Sequence, residues 1–135
     1  MKFNLSALLG QNMDFDSLTT PISHTEVDAA INEMPPDRAP GSDGFNGAFL
    51  KACWLIIKSD FYRLCDEFHK RELDLESLNY GYITLIPKNN LQETVNDFRP
   101  ITLLNCCLKM ITKILANRLQ IVILQIVHHN QYGFL

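Results

Sequence analysis

The chain has 135 residues, 47% of them hydrophobic and 20% charged, with a formal net charge of −3. That balance fits one folded domain, sets the chain apart from disordered sequences, and argues against a free-standing basic nucleic-acid binder. The charge is uneven, because residues 1–79 hold 7 Lys/Arg against 13 Asp/Glu while residues 80–135 hold 5 against 2. Any attraction for phosphate therefore belongs to the second part.

Residues 1–20 carry little pattern and read as a loose lead-in. The run Phe3 to Gly10 is too short and interrupted for a secretory signal. Ser23-His24-Thr25-Glu26 is a capping box, so a helix is expected from about Thr25 to Met34, with Val27, Ala30, Ile31 and Met34 on one face. Pro35-Pro36 ends it. Asp37 to Phe45 is dense in turn residues, and Asp43 is placed to cap the helix that follows.

A second helical region runs from about Asn46 to Arg71, with Phe49, Leu50, Cys53, Trp54 and Ile57 at helical spacing and a candidate break at Ser59-Asp60. Glu72 to Asn79 reads as a connection. Tyr82, Ile83, Thr84 and Ile86 favour a strand. Pro87 and Pro100 must then lie at strand ends or edges, so two strands near 80–87 and 98–103 should pair as an antiparallel hairpin with a polar tip. The last helix should span about Asn105 to Val127, burying Leu108, Ile111, Leu115, Leu119, Val122 and Ile126. Lys109, Lys113 and Asn117 form its polar stripe. The fold class is α+β and mostly helical, with a domain over 21–135.

Four cysteines occur, Cys53, Cys65, Cys106 and Cys107, without CxxC spacing. They read as buried thiols of a reducing compartment. Ile121–Val127 is far too short to span a bilayer. A soluble intracellular protein without a membrane partner is expected, with nucleus and cytoplasm both open. His128-His129 point apart on a helix and lack a neighbouring Cys or carboxylate, so no metal site is read there.

Lys88 follows Leu85-Ile86-Pro87, and Arg99 stands in Asp97-Phe98-Arg99-Pro100-Ile101. Taken alone, each is a solvated cation at a strand end. Together on adjacent strands they can grip a polyphosphate, Lys as a point charge and Arg as a planar fork. Gly41-Ser42-Asp43-Gly44 lacks the Lys-Ser/Thr of a phosphate-cradling P-loop and reads as a turn. Lys109, Lys113 and Arg118 are either a solvated face or contacts to a nucleic-acid backbone.

In order and spacing, several segments resemble the fingers region of reverse transcriptases of LINE-type (non-LTR) retrotransposons. These are Ala39-Pro40-Gly41-Ser42-Asp43-Gly44-Phe45, Cys53-Trp54, Leu85 to Lys88, Phe98 to Leu103, Ala116-Asn117-Arg118-Leu119, and Gln131 with Gly133-Phe134. The likeness runs from about Leu18 onward. It departs at Ser42, where the family usually has Pro, and at Leu108, where an aromatic is common. The resemblance implies that Lys88 and Arg99 contact the triphosphate of an incoming deoxynucleotide, in a fingers and early-palm unit of an RNA-directed DNA polymerase. It implies RNA template and DNA primer as partners, and Mg²⁺ as the cofactor of the complete domain. No Asp or Glu follows Asp97. The family's metal-binding aspartates are therefore expected to lie beyond this chain, which should not polymerise alone and holds no catalytic residue. The rival reading is a helical interaction module, or a retroelement remnant, without a nucleotide role. Exposed apolar surface would then make it self-associate.

Overall fold

The computed structural model describes residues 15–91 and 94–126, with side chains of the last helix described through Ile123. Residues Asp16–Thr19 form a single helical turn, α1. Helix α2 spans His24–Glu33 and begins at the expected box: the Glu26 amide donates to Ser23 Oγ at 3.3 Å, and the Ser23 amide donates to Glu26 Oε2 at 2.8 Å. The reciprocal pair satisfies amide donors that a helix start leaves open. Val27, Ala30, Ile31 and Met34 are all buried, as their spacing predicts.

Helix α3 spans Gly47–Lys70 without a break. The candidate interruption at Ser59-Asp60 is corrected: Asp60 is exposed and pairs with Arg63 at 3.2 Å, while Phe61 and Cys65 continue the buried face. Asn46 caps this helix, accepting from the Phe49 amide at 2.9 Å. Arg71 ends it in the left-handed region at φ 61°. The connection holds one short helix, α4, Leu75–Leu78, capped by Asp74.

Strands β1, Gly81–Pro87, and β2, Phe98–Leu104, form the expected antiparallel pair, from Gly81 opposite Leu104 to Pro87 opposite Phe98. A 3-10 turn, Val95–Asp97, leads into β2, with Asp97 accepting from the Thr94 amide at 2.9 Å. Helix α5, Cys106–Ile126, follows β2 after the single residue Asn105.

The core lies between α2, α3 and α5: Ile22, Val27, Ile31, Leu50, Phe61, Cys65, Met110, Ile111 and Ile114 pack together. The expected burial of α5 needs correction. Met110 and Ile114 are buried, whereas Leu115 and Leu119 are 38% and 45% exposed. The helix is apolar over most of its circumference, so periodicity alone does not fix which arc faces inward. Across the α2–α3 contact, Asp28 Oδ1 accepts from Trp54 Nε1 and from the Tyr62 hydroxyl, both at 2.8 Å. His24 stacks on Tyr62 at 3.9 Å. No helix among the described residues is long and apolar enough to cross a membrane.

Candidate nucleotide-binding hairpin and groove

Side chains alternate across a strand, and the register decides which residues share a face. Ile86 stands opposite Arg99, Thr84 opposite Ile101, and Tyr82 opposite Leu103. Arg99 therefore shares its face with Ile101 and Leu103, while Lys88 follows Pro87, the last paired residue of β1, in the bend at the hairpin tip. Both cations of the sequence reading thus lie at the tip end of one hairpin.

Lys88 and Arg99 are both exposed. The Lys88 amide donates to the Asp97 carbonyl and its Nζ donates to the Asn96 carbonyl, each at 2.7 Å. Two of the three ammonium hydrogens remain for a ligand. The Arg99 backbone belongs to the ladder opposite Ile86, and its guanidinium makes no hydrogen bond or ion pair with another described residue, so its planar fork is available.

The inner half of this face opens on a groove of about 530 Å³. Ile101 and Leu103 of β2, Met34, Pro35 and Phe45, and Lys109 and Lys113 of α5 line it, together with Arg38. Three cations thus line the groove against one carboxylate, Glu33, in a chain whose net charge is −3. Phe45 and Phe49 stack at 4.4 Å and are 42% and 40% exposed.

The stripe on α5 is not simply solvated. Lys109 Nζ donates to the Ala39 carbonyl at 2.8 Å, and Lys113 pairs with Glu33 at 3.0 Å. Hydrogen bonds from Lys113 and Asn117 hold the Glu33 carboxyl below its ordinary range. Both lysines face the groove and keep donors for a phosphate.

Arg118 is placed differently from the outward position its charge suggests, and it leaves the set of candidate nucleic-acid contacts. It is buried, and its Nε and Nη2 meet Glu26 Oε1 and Oε2 at 2.6 and 2.9 Å. Nη1 and Nη2 also donate to the Thr20 and Pro21 carbonyls at 2.6 and 2.9 Å. A buried guanidinium without these acceptors would be costly, so it is spent internally. The Arg118 hydrogen bond holds the Glu26 carboxyl down at about 2, against the opposing effect of burial.

Asp43 is a residue whose role the sequence misplaced. It does not cap α3; its Oδ2 accepts from the Cys106 amide at 2.6 Å and its Oδ1 from the Phe45 amide at 3.2 Å. It therefore caps α5 from the turn at 39–45 and fixes that turn against the base of the hairpin. Burial pushes its carboxyl up, but the hydrogen bonds from Cys106 and Phe45 outweigh this and leave it lowered. Gly41 abuts the Leu104 carbonyl so closely that a Cβ would collide with it. Asn105 completes the joint: Oδ1 accepts from the Leu108 amide at 2.8 Å and Nδ2 donates to the Leu78 carbonyl. An Asp-Gly turn and an Asn before a helix are visible in sequence, but the partner 63 residues away is not. His128-His129, Gln131, Gly133 and Phe134 lie outside the described residues.

No family model matches the chain. Over 117 residues it is 32% identical to the Transposon TX1 uncharacterized 149 kDa protein of Xenopus laevis, an overlap of 86% of this chain. The chain is related to a transposon protein. It spans 9% of that relative's length. The aligned part of this transposon-related chain must include most of the hairpin, the groove and the joint, since only 14% of its residues can lie outside the match.

Proposed function

We propose that the chain is the nucleotide-gripping, fingers-like part of a LINE-type retroelement reverse transcriptase, an RNA-directed DNA polymerase. The observation that carries this reading is the placement of Lys88 and Arg99, both exposed, at the tip end of one hairpin whose β2 strand also lines a groove with three cations. The transposon relative supports the same origin. In this reading Lys88 and Arg99 hold the β- and γ-phosphates of a deoxynucleoside triphosphate. Their charge offsets what develops as pyrophosphate leaves. Lys109 and Lys113 meet the phosphates of an RNA template or DNA primer in the groove.

Polymerases of this kind use two Mg²⁺ to activate the primer hydroxyl and to stabilise the leaving group. Among the described residues no three His, Cys, Asp or Glu side chains gather as a metal site. The donor set here does not fit the metals, and no step is assigned through them. The chain's own part is to bind and orient the triphosphate.

The test is binding of a deoxynucleoside triphosphate followed by NMR. Amide shifts are expected at Ile86, Lys88, Asn89, Asp97, Phe98, Arg99 and Ile101, and Lys88→Ala and Arg99→Ala should each weaken them. A charge-assisted contact is worth about 1.5–3 kcal/mol, or about 10- to 150-fold in affinity. Arg99→Lys should restore only part, because the fork is lost. Undiminished binding in both alanine variants, with the fold intact, would make the hairpin mere architecture.

A second reading is favoured by the opposite face of the hairpin. Ile83 and Leu85 are 74% and 51% exposed there, an unusual apolar surface for a lone unit. An interaction module would use that face and ignore Lys88 and Arg99. Concentration-dependent self-association abolished by Ile83→Lys would favour it.

A further inference from the structure

Cys106 and Cys107 open helix α5. Adjacent residues on a helix point about 100° apart, yet these two sulfurs lie 4.0 Å from each other. Cys106 is buried, and Cys107 is only partly covered. Cys106 also lines the groove, so a small ligand entering there meets the pair.

From this geometry we infer that the Cys106–Cys107 pair is a two-sulfur site for a soft thiophilic centre, of the class of a monosubstituted trivalent arsenical. With bonds to sulfur of about 2.3 Å and the angle of about 90–100° at a pyramidal trivalent centre, the chelate holds its two sulfurs about 3.3–3.5 Å apart. The observed 4.0 Å is about half an ångström wider, a gap that a side-chain rotation of the partly covered Cys107 closes. Among the described residues no third Cys, His, Asp or Glu completes a metal set. Four-coordinate zinc is therefore a poor fit. A centre that brings its own carbon substituent and takes two sulfurs is a good one.

The reaction balances without oxidation. An organoarsenic centre bearing two hydroxyls forms two As–S bonds, and each hydroxyl leaves as water with one thiol proton. The two thiols differ. The hydrogen bond from the Cys106 thiol holds the Cys107 thiol below its usual range, while that same bond, burial and the Asp43 carboxylate push the Cys106 thiol up. Cys107 is therefore the sulfur that attacks first, and Cys106 closes the chelate. Capture should disturb the joint, because the Cys106 amide is the donor that Asp43 accepts.

The experiment uses the 135-residue chain and phenylarsine oxide as the probe. Intact mass after a wash with a large excess of glutathione should show one adduct per chain. A chelate survives such a monothiol and is released by dithiothreitol, whereas a single-sulfur adduct is displaced. Cys106→Ser and Cys107→Ser should each lose the stable adduct, with circular dichroism confirming the fold. Cys107→Ala guards against a folding defect, since its side chain is not fully buried. Cys53→Ser and Cys65→Ser should retain the adduct. A stable adduct that persists in Cys107→Ala, or one that requires Cys65, would overturn the assignment. The outcome is independent of nucleotide binding.

Discussion

Arg118→Ala removes a side chain that, among the described residues, ties α5 to both the start of α2 and the segment before it. Four hydrogen bonds go at once, two of them to the Glu26 carboxylate. Breaking a fully buried ion pair costs about 3–5 kcal/mol. Here Glu26 is 33% exposed, so water can take over part of its charge. About 2–3 kcal/mol is the expected loss, which lowers the thermal midpoint by about 6–12 °C in a domain of this size. Glu26→Gln should cost less alone, and the double variant should show the two effects to be non-additive. The pH dependence has a fixed sign. The folded carboxyl sits at about 2, below its unfolded value. Its contribution is therefore full above the ordinary glutamate pKa of about 4.3 and fades as the pH falls towards 2. The gap between the native chain and Glu26→Gln should shrink over that window. Urea unfolding between pH 7 and pH 2.5 measures it. A loss below about 0.5 kcal/mol for Arg118→Ala, the range of an ordinary surface change, would refute the clamp and return Arg118 to the solvent face.

Asp43→Ala should uncap α5 and cost about 1–2 kcal/mol, with faster hydrogen exchange at the Cys106 and Phe45 amides. Asp43→Asn keeps an acceptor and should lose less. Gly41→Ala drives a methyl into the Leu104 carbonyl and should cost about 1–3 kcal/mol, visible as a lower urea midpoint.

Local rules were legible in this sequence and long-range ones were not. The box at Ser23 and Glu26 needs only residues three apart, so α2 could be read directly. Pro87 and Pro100 cannot donate in a ladder, which by itself confines both strands and sets the hairpin. The inward arc of α5 was a different matter. Leu115 and Leu119 are as apolar as Met110 and Ile114, and only packing against α2 and α3 selects between them. Arg118 read as an outward cation because its acceptor, Glu26, is 92 residues away. Lys109 and Lys113 read as a stripe, yet the stripe has direction only once Ala39 and Glu33 are beside it. For the candidate site, the two cations were legible through their proline neighbours. The groove was not, since its walls come from α2, the 33–47 turn, β2 and α5.

The hairpin's base, more than its tip, should govern what Lys88 and Arg99 can do. A two-stranded hairpin is marginal alone in water, and its residues from Tyr82 to Ile86 are exposed. Its rigidity must come from where it joins the core. There Asn105 bridges Leu78 to the first turn of α5, Asp43 caps Cys106, and Gly41 lies against Leu104. Arg99 is five residues from Leu104, or about 17 Å along an extended strand. A rotation of a few degrees at the joint moves the guanidinium by about an ångström over that lever, enough to spoil paired contacts to phosphate oxygens. The Asp-Gly turn, remote from both cations in sequence, is therefore part of the grip. If the phosphate reading holds, Asp43 variants should weaken nucleotide binding without touching the ligand.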